Sequence, residues 1–146
     1  MRAPLRGLTV SVAITLLATS AFPFCICVRP KLKASEIRGR VIAIYKSKPD
    51  FEEPIPNAVV EILNCSGGDC QTIGHVVTDE GGHFDIKGVR SGNYELSAIA
   101  NGFQKVVVGL KLNSGSGGKN KEIIMALEPG LDCCAGEAKI RKVKSN

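Results

Sequence analysis

From residue 36 to residue 127, short runs of β-branched and aliphatic residues recur. Each is closed by Gly, Pro, Asn or Asp, and no stretch keeps a helical period. A chain punctuated this way folds as many short strands joined by turns. The spacing predicts seven, over 36–45, 58–64, 71–78, 83–86, 94–100, 103–112 and 121–127. Between the first two, 46–57 contains Pro49, Pro54 and Pro56, which cannot donate to a ladder and mark a loop. The polar run 113–118 reads as a flexible turn, and Pro129-Gly130 ends the last strand.

Alternation within these strands says what they bury. Tyr94, Leu96, Ala98 and Ala100 share one face; so do Ala58, Val60 and Ile62, and so do Ile123, Met125 and Leu127. One face of each strand therefore enters a core between two sheets. Ile42, Ile44, Ile99 and Ile124 fall on the opposite face, where several on one sheet would make a docking surface. The expected fold is all-β: a seven-stranded antiparallel Ig-like sandwich over residues 35–129, following an N-terminal hydrophobic segment.

That segment has the pattern of a targeting signal. Arg2 and Arg6 precede an uncharged run from Leu8 to Val28, and Thr19-Ser20-Ala21 supplies the small residues a signal peptidase reads. Cleavage after Ala21 is expected, because Pro23 and the small residues interrupt the run. The alternative is an uncleaved anchor over 8–28, near the ~20 residues that span a bilayer. Residues 22–34 form a basic linker and 130–146 a basic tail, the latter with Lys139, Arg141, Lys142 and Lys144. Such basic runs could touch a membrane surface or an acidic polymer, but with a net charge of only +5 the tail reads as solvated and disordered.

Six cysteines fit an oxidising compartment, so the protein is expected to be exported: extracellular, periplasmic or in the cell envelope. A membrane location follows only if the N-terminal segment is retained. Cys65 and Cys70 bracket Ser66-Gly67-Gly68-Asp69, a polar turn between apolar runs, where a bridge would clip a hairpin and contribute about 2 kcal/mol. Cys25, Cys27, Cys133 and Cys134 remain, with three pairings open.

The most specific local pattern is Thr78-Asp79-Glu80-Gly81-Gly82-His83-Phe84. An Asp there can accept from amides of the following turn, and Gly81 or Gly82 can take positive φ. Gly92-Asn93-Tyr94-Glu95-Leu96 follows, with Tyr94 expected to be buried, and then Asn101-Gly102-Phe103, a strong hairpin signal. Together with Gly39-Arg40-Val41 and Pro54-Ile55-Pro56-Asn57-Ala58-Val59-Val60, this ordered set resembles the carboxypeptidase regulatory-like domain, a transthyretin-like sandwich common in secreted bacterial proteins. The resemblance covers roughly 36–127. It implies a stability, docking or interaction module, with Thr78, Asp79, Gly81, Gly82, Phe84, Gly92, Tyr94 and Gly102 as structural turn residues. A related sandwich family forms an internal Lys–Asn bond with a catalytic Glu; Ala98 stands at that place, so Lys46 and Lys48 are expected to be solvated.

No catalytic constellation accompanies the motif. His75 and His83 lack the clustered ligands and general base of a zinc peptidase, and no Ser–His–Asp context is evident. Asp79, Glu80 and Asp85 do not follow a calcium-loop spacing. Gly118-Lys119-Asn120 lacks the hydroxyl residue of a phosphate loop. No catalytic residue, metal or cofactor is expected. Basic residues are not interleaved with aromatics, so nucleic acid is not an expected partner. The reading is a non-catalytic binding or structural module with a protein partner. The alternative is a weak carbohydrate-binding module, against which stand the absence of Trp and the presence of only Tyr45 and Tyr94 among tyrosines.

Overall fold

The computed structural model describes residues 30–66, 68–115, 121–130 and 136–143. Cys25, Cys27, Cys133 and Cys134, the 8–28 run and the Ala21 cleavage point lie outside them. The described chain is all strand and turn. Ten strands run in order: β1 Lys31–Ala34, β2 Ile37–Tyr45, β3 Lys48–Pro54, β4 Val59–Ser66, β5 Asp69–Val77, β6 His83–Ile86, β7 Gly92–Ile99, β8 Val106–Leu112, β9 Lys121–Leu127 and β10 Gly136–Lys142.

Two five-stranded sheets face each other. The first has the order β1-β8-β7-β4-β5. The second has the order β10-β9-β2-β3, with β6 pairing the N-terminal half of β2 on the flank where β3 pairs its C-terminal half. Most ladders are antiparallel. The exceptions are β1 with β8 and β2 with β9, which run parallel.

The seven expected strands correspond to β2, β4, β5, β6, β7, β8 and β9, and the count of seven is corrected to ten. The three additions share a cause: each is an edge strand, wetted on one side and therefore half polar. β3 occupies the expected proline loop, and an edge tolerates Pro49 and Pro54 because their missing donors face no ladder. β10 occupies the tail read as solvated. Its charges alternate with Ala138 and Ile140, and Ala138 packs on the core. β1 forms in the basic linker, with Leu32 and Ala34 packed inward between Lys31 and Lys33. The sheets thus extend beyond residue 35 at one end and residue 129 at the other.

The core is built as alternation requires. Val60, Ile62, Leu96, Ala98, Val108 and Leu110 from the first sheet meet Val41, Ile123, Met125 and Leu127 from the second. Tyr94 is half-buried at the core margin, less enclosed than expected, and its hydroxyl donates to the Arg90 carbonyl at 2.9 Å. A second, smaller cluster lies on the outer side of the second sheet, where Ile42, Ile124 and Ala126 are buried with Ile44 against them.

Candidate functional site

The Thr78–Phe84 segment is where the chain leaves the first sheet at β5 and enters the second at β6. Thr78 is buried, and its hydroxyl is fully employed: it accepts from the Ala58 amide at 2.9 Å and donates to the Ile55 carbonyl at 2.8 Å. Its backbone N–H donates to Ala58 and its carbonyl accepts from Asn57. One threonine therefore holds the 55–58 segment against the end of β5. Asp79 closes the next turn. Its Oδ1 accepts from the amides of Gly81 (2.9 Å) and His83 (2.8 Å) and lies 3.1 Å from His83 Nδ1. The His83 amide, then its imidazole, holds the Asp79 carboxyl below its ordinary range.

Gly82 is the pivot of the segment. It has φ +73°, its carbonyl accepts from Val41, and a Cβ there would come within 2.5 Å of the Val41 carbonyl oxygen. No L side chain fits both demands. Phe84 then enters the core. Gly102 also has positive φ, at +82°, and accepts from the Gly130 amide. Gly92 is crowded by the Tyr94 ring. These residues work as turn geometry. The Asp79–His83 pair is exposed, and both of its members are engaged with each other and with backbone.

Sequence reasoning missed a second demand for glycine. A Cβ on Gly39, in the middle of β2, would lie 1.8 Å from the Ile123 carbonyl oxygen of β9. The signal was present as a Gly inside a strand pattern, which marks close backbone approach.

Cys65 and Cys70 form a disulfide across the β4–β5 hairpin, where they are register partners. The Glu95 carboxylate lies beside them, with all three ligand-type atoms within 4.8 Å. The two sulfurs are bonded to each other, so no thiolate is offered to a metal there. His75 is exposed on β5, the register partner of Glu61 on β4. Lys46 reaches Glu128 at 3.2 Å, and Lys48 sits 5.8 Å from the Phe51 ring centroid.

The outer faces of the sheets differ from expectation. Ile42, Ile44, Ile99 and Ile124 do not form one docking surface. Ile42 and Ile124 are sealed within the second cluster, and Ile99 lies on the other sheet. Above the second cluster the guanidinium of Arg141 in β10 donates to the carboxylate of Glu52 in β3, joining the two edge strands over β9 and β2. That hydrogen bond lowers the Glu52 carboxyl below its usual range, helped by the charges of Arg141, Lys139 and Arg40, and raises Arg141. On the first sheet, register places Val77, Val59 and Ile99 in one row across β5, β4 and β7. Val77 is 55% exposed and Ile99 38%.

Grooves do exist. An open one of about 340 Å³ lies at one end of the sandwich, between Lys33, Glu36, Asn113, Lys121 and Ile140. The polar groups lining it are not buried, and no convergent set of chemical groups marks it as a reaction site. Among the described residues no helix is long and apolar enough to cross a membrane.

No curated protein matches the chain. Among solved structures, sea bream transthyretin, in complex with thyroxine, aligns with a TM-score of 0.47 at 12% identity, covering 76% of this chain and 98% of that one. The family model of the carboxypeptidase regulatory-like domain matches residues 36–126. That match spans β2 through most of β9 and includes the Thr78 clamp, the Gly82 pivot and the Gly39 contact; by it, the chain belongs to the carboxypeptidase regulatory-like domain family, whose members are regulatory, non-catalytic modules.

Proposed function

We propose that this protein is an exported, non-catalytic module that binds a protein partner through the outer face of its first sheet. The observation that carries the reading is the apolar row Val77, Val59 and Ile99. Val77 and Ile99 at its ends are exposed and Val59 between them is half-buried, while Ile42 and Ile124 on the back of the second sheet are enclosed. An exposed apolar row on an otherwise well-packed sandwich suits recognition. Family membership supports a non-catalytic role, and the employment of Thr78, Asp79 and His83 in turn geometry agrees with it. Export is supported by the N-terminal pattern and by the cysteine content.

A weak glycan-binding role is the second reading. What favours it is the exposed Phe51 beside the half-buried Tyr45, with ring centroids 6.3 Å apart next to Lys48. The rings are inclined at 40°, so they offer no single flat platform, and the protein-binding reading is preferred.

Photo-crosslinking residues at 77 and 99, with 51 as comparison, separate these readings in the producing cell. A discrete protein adduct at 77 and 99, absent at 51, supports the proposal. Glycan-array binding lost in Tyr45→Ala, with no adduct at 77 or 99, establishes the second reading instead. Peptide or ester turnover that depends on His83 overturns the non-catalytic assignment. Sequencing the N-terminus of the mature protein tests release after Ala21.

A further inference from the structure

The sheet edges meet a neighbouring strand very differently. β1 has four residues and carries Lys31 and Lys33. The flank shared by β3 and β6 holds Pro49, Asp50, Glu52, Glu53, Pro54 and the short strand β6. β10 places Glu137, Lys139, Arg141 and Lys142 along seven residues. Shortness, proline and charge are each obstacles to edge pairing. β5 has nine residues, no Pro and no Lys, and from Gln71 to Val77 its one ionisable side chain is His75. Its irregularity lies where Ile73 is skipped between Thr72 and Gly74, so 74–77 run regularly against β4.

The open edge of that regular stretch can be read from its ladder. Thr78 donates its N–H toward β4, to the Ala58 carbonyl. By alternation Val76 and Gly74 also face β4, while Val77 and His75 direct their N–H and C=O groups away from it. Among the described residues no strand lies beyond β5, and Ile73 and Val77 are 45% and 55% exposed.

We propose that β5 is a self-association edge, paired antiparallel with β5 of a second copy of this chain about a two-fold axis at His75. That register exchanges the backbone hydrogen bonds of His75 across the axis. It also brings Ile73 of each copy, at the end of the regular stretch, alongside Val77 of the other. An isologous contact of this kind closes at two copies. Charge permits it: the paired stretch carries no carboxylate and no lysine, and each His75 is the register partner of Glu61 in its own copy. Apolar continuity favours it too. The row Ile99, Val59, Val77 runs on into Ile73 of the second copy, and two such rows cross the joined ten-stranded sheet. A partner of other sequence would have no reason to match both ends of this row; a second copy does so by symmetry.

Sedimentation velocity on the full chain in non-ionic detergent, across a range of protein concentrations, tests the pairing without any other protein present. The wild type is expected to pass from monomer to dimer. Ile73→Lys and Val77→Glu are each expected to weaken the dimer about tenfold, since each disturbs two symmetry-related pairs. The double variant should recover it, because each new lysine then faces a glutamate of the other copy. His75→Pro removes an outward donor at an edge that tolerates proline, and is expected to abolish the dimer while melting like the wild type at concentrations where that is monomeric. A wild type that stays monomeric at every concentration overturns the proposal. So does a dimer that all three single variants leave intact, or a double variant weaker than either single one.

Discussion

Ile124 on the second sheet and Ile99 on the first both point away from the shared core, yet Ile124 is 0% exposed and Ile99 38%. Alternation alone treats them alike. The difference comes from the neighbours. Ile124 lies between edge strands whose long charged side chains, Arg141 and Glu52, meet above it, and the aliphatic stems of such residues cover apolar surface. Around Ile99 the adjacent outward residues are Val59 and, beyond it, Val77, which are short and cannot reach across. One sheet has made a second small core on its back, and the other has left its back open. Outward aliphatics therefore identify a docking surface only after the reach of the flanking strands is known.

The largest expected effect in breaking this comparison is backbone crowding. Gly39→Ala forces a Cβ against the Ile123 carbonyl in the centre of the second sheet and should cost about 3 kcal/mol or more. The matched change in the first sheet, Gly109→Ala, meets the flexible Lys31 stem at 3.3 Å and the backbone of Pro30 and Lys31 only at ordinary contact distance, 3.6 Å or more, and should stay within about 1 kcal/mol. Urea unfolding of both variants checks the pair; equal losses would mean that the sheets are equally tight. Next comes side-chain truncation. Ile124→Ala is expected to lose about 2–4 kcal/mol, as other enclosed aliphatics do, and Ile99→Ala less than about 0.5 kcal/mol. The smallest effect belongs to the cover itself. Arg141→Ala should lose about 0.5–1 kcal/mol, and less in high salt. Glu52 has its carboxyl depressed by Arg141, so its stabilising contribution is complete above the ordinary glutamate range and fades as pH falls below it. Melting temperature followed from pH 7 downward should therefore fall more steeply for wild type than for Glu52→Gln.

The legible and illegible parts of this fold divide along the same physical line. Strands β4, β7 and β9 were readable because both their alternation and their bounding turns are local signals, as in Tyr94-Glu95-Leu96 or Asn101-Gly102. β3 and β10 were hidden because an edge strand needs only one apolar row and tolerates proline and charge elsewhere. The turn role of Asp79 could be anticipated, since its acceptors' partners are two and four residues away. The Thr78 clamp could not, because Ala58 and Ile55 lie 20 and 23 residues earlier. The Arg141–Glu52 bridge spans 89 residues and depends on an edge strand the composition disguises. The open row Val77, Val59, Ile99 is a property of register between three strands, which single-strand periodicity does not contain.

The parallel strand β1 has one more consequence. It borders the first sheet at the edge opposite β5, and it lies against β10 of the second sheet. Four interstrand steps, roughly 19 Å, separate β1 from β5. A tether attached ahead of Pro30 would therefore take hold of the sandwich by one side wall, like a flag on its pole. The free margin of the first sheet would then lie four strands away from the point of attachment.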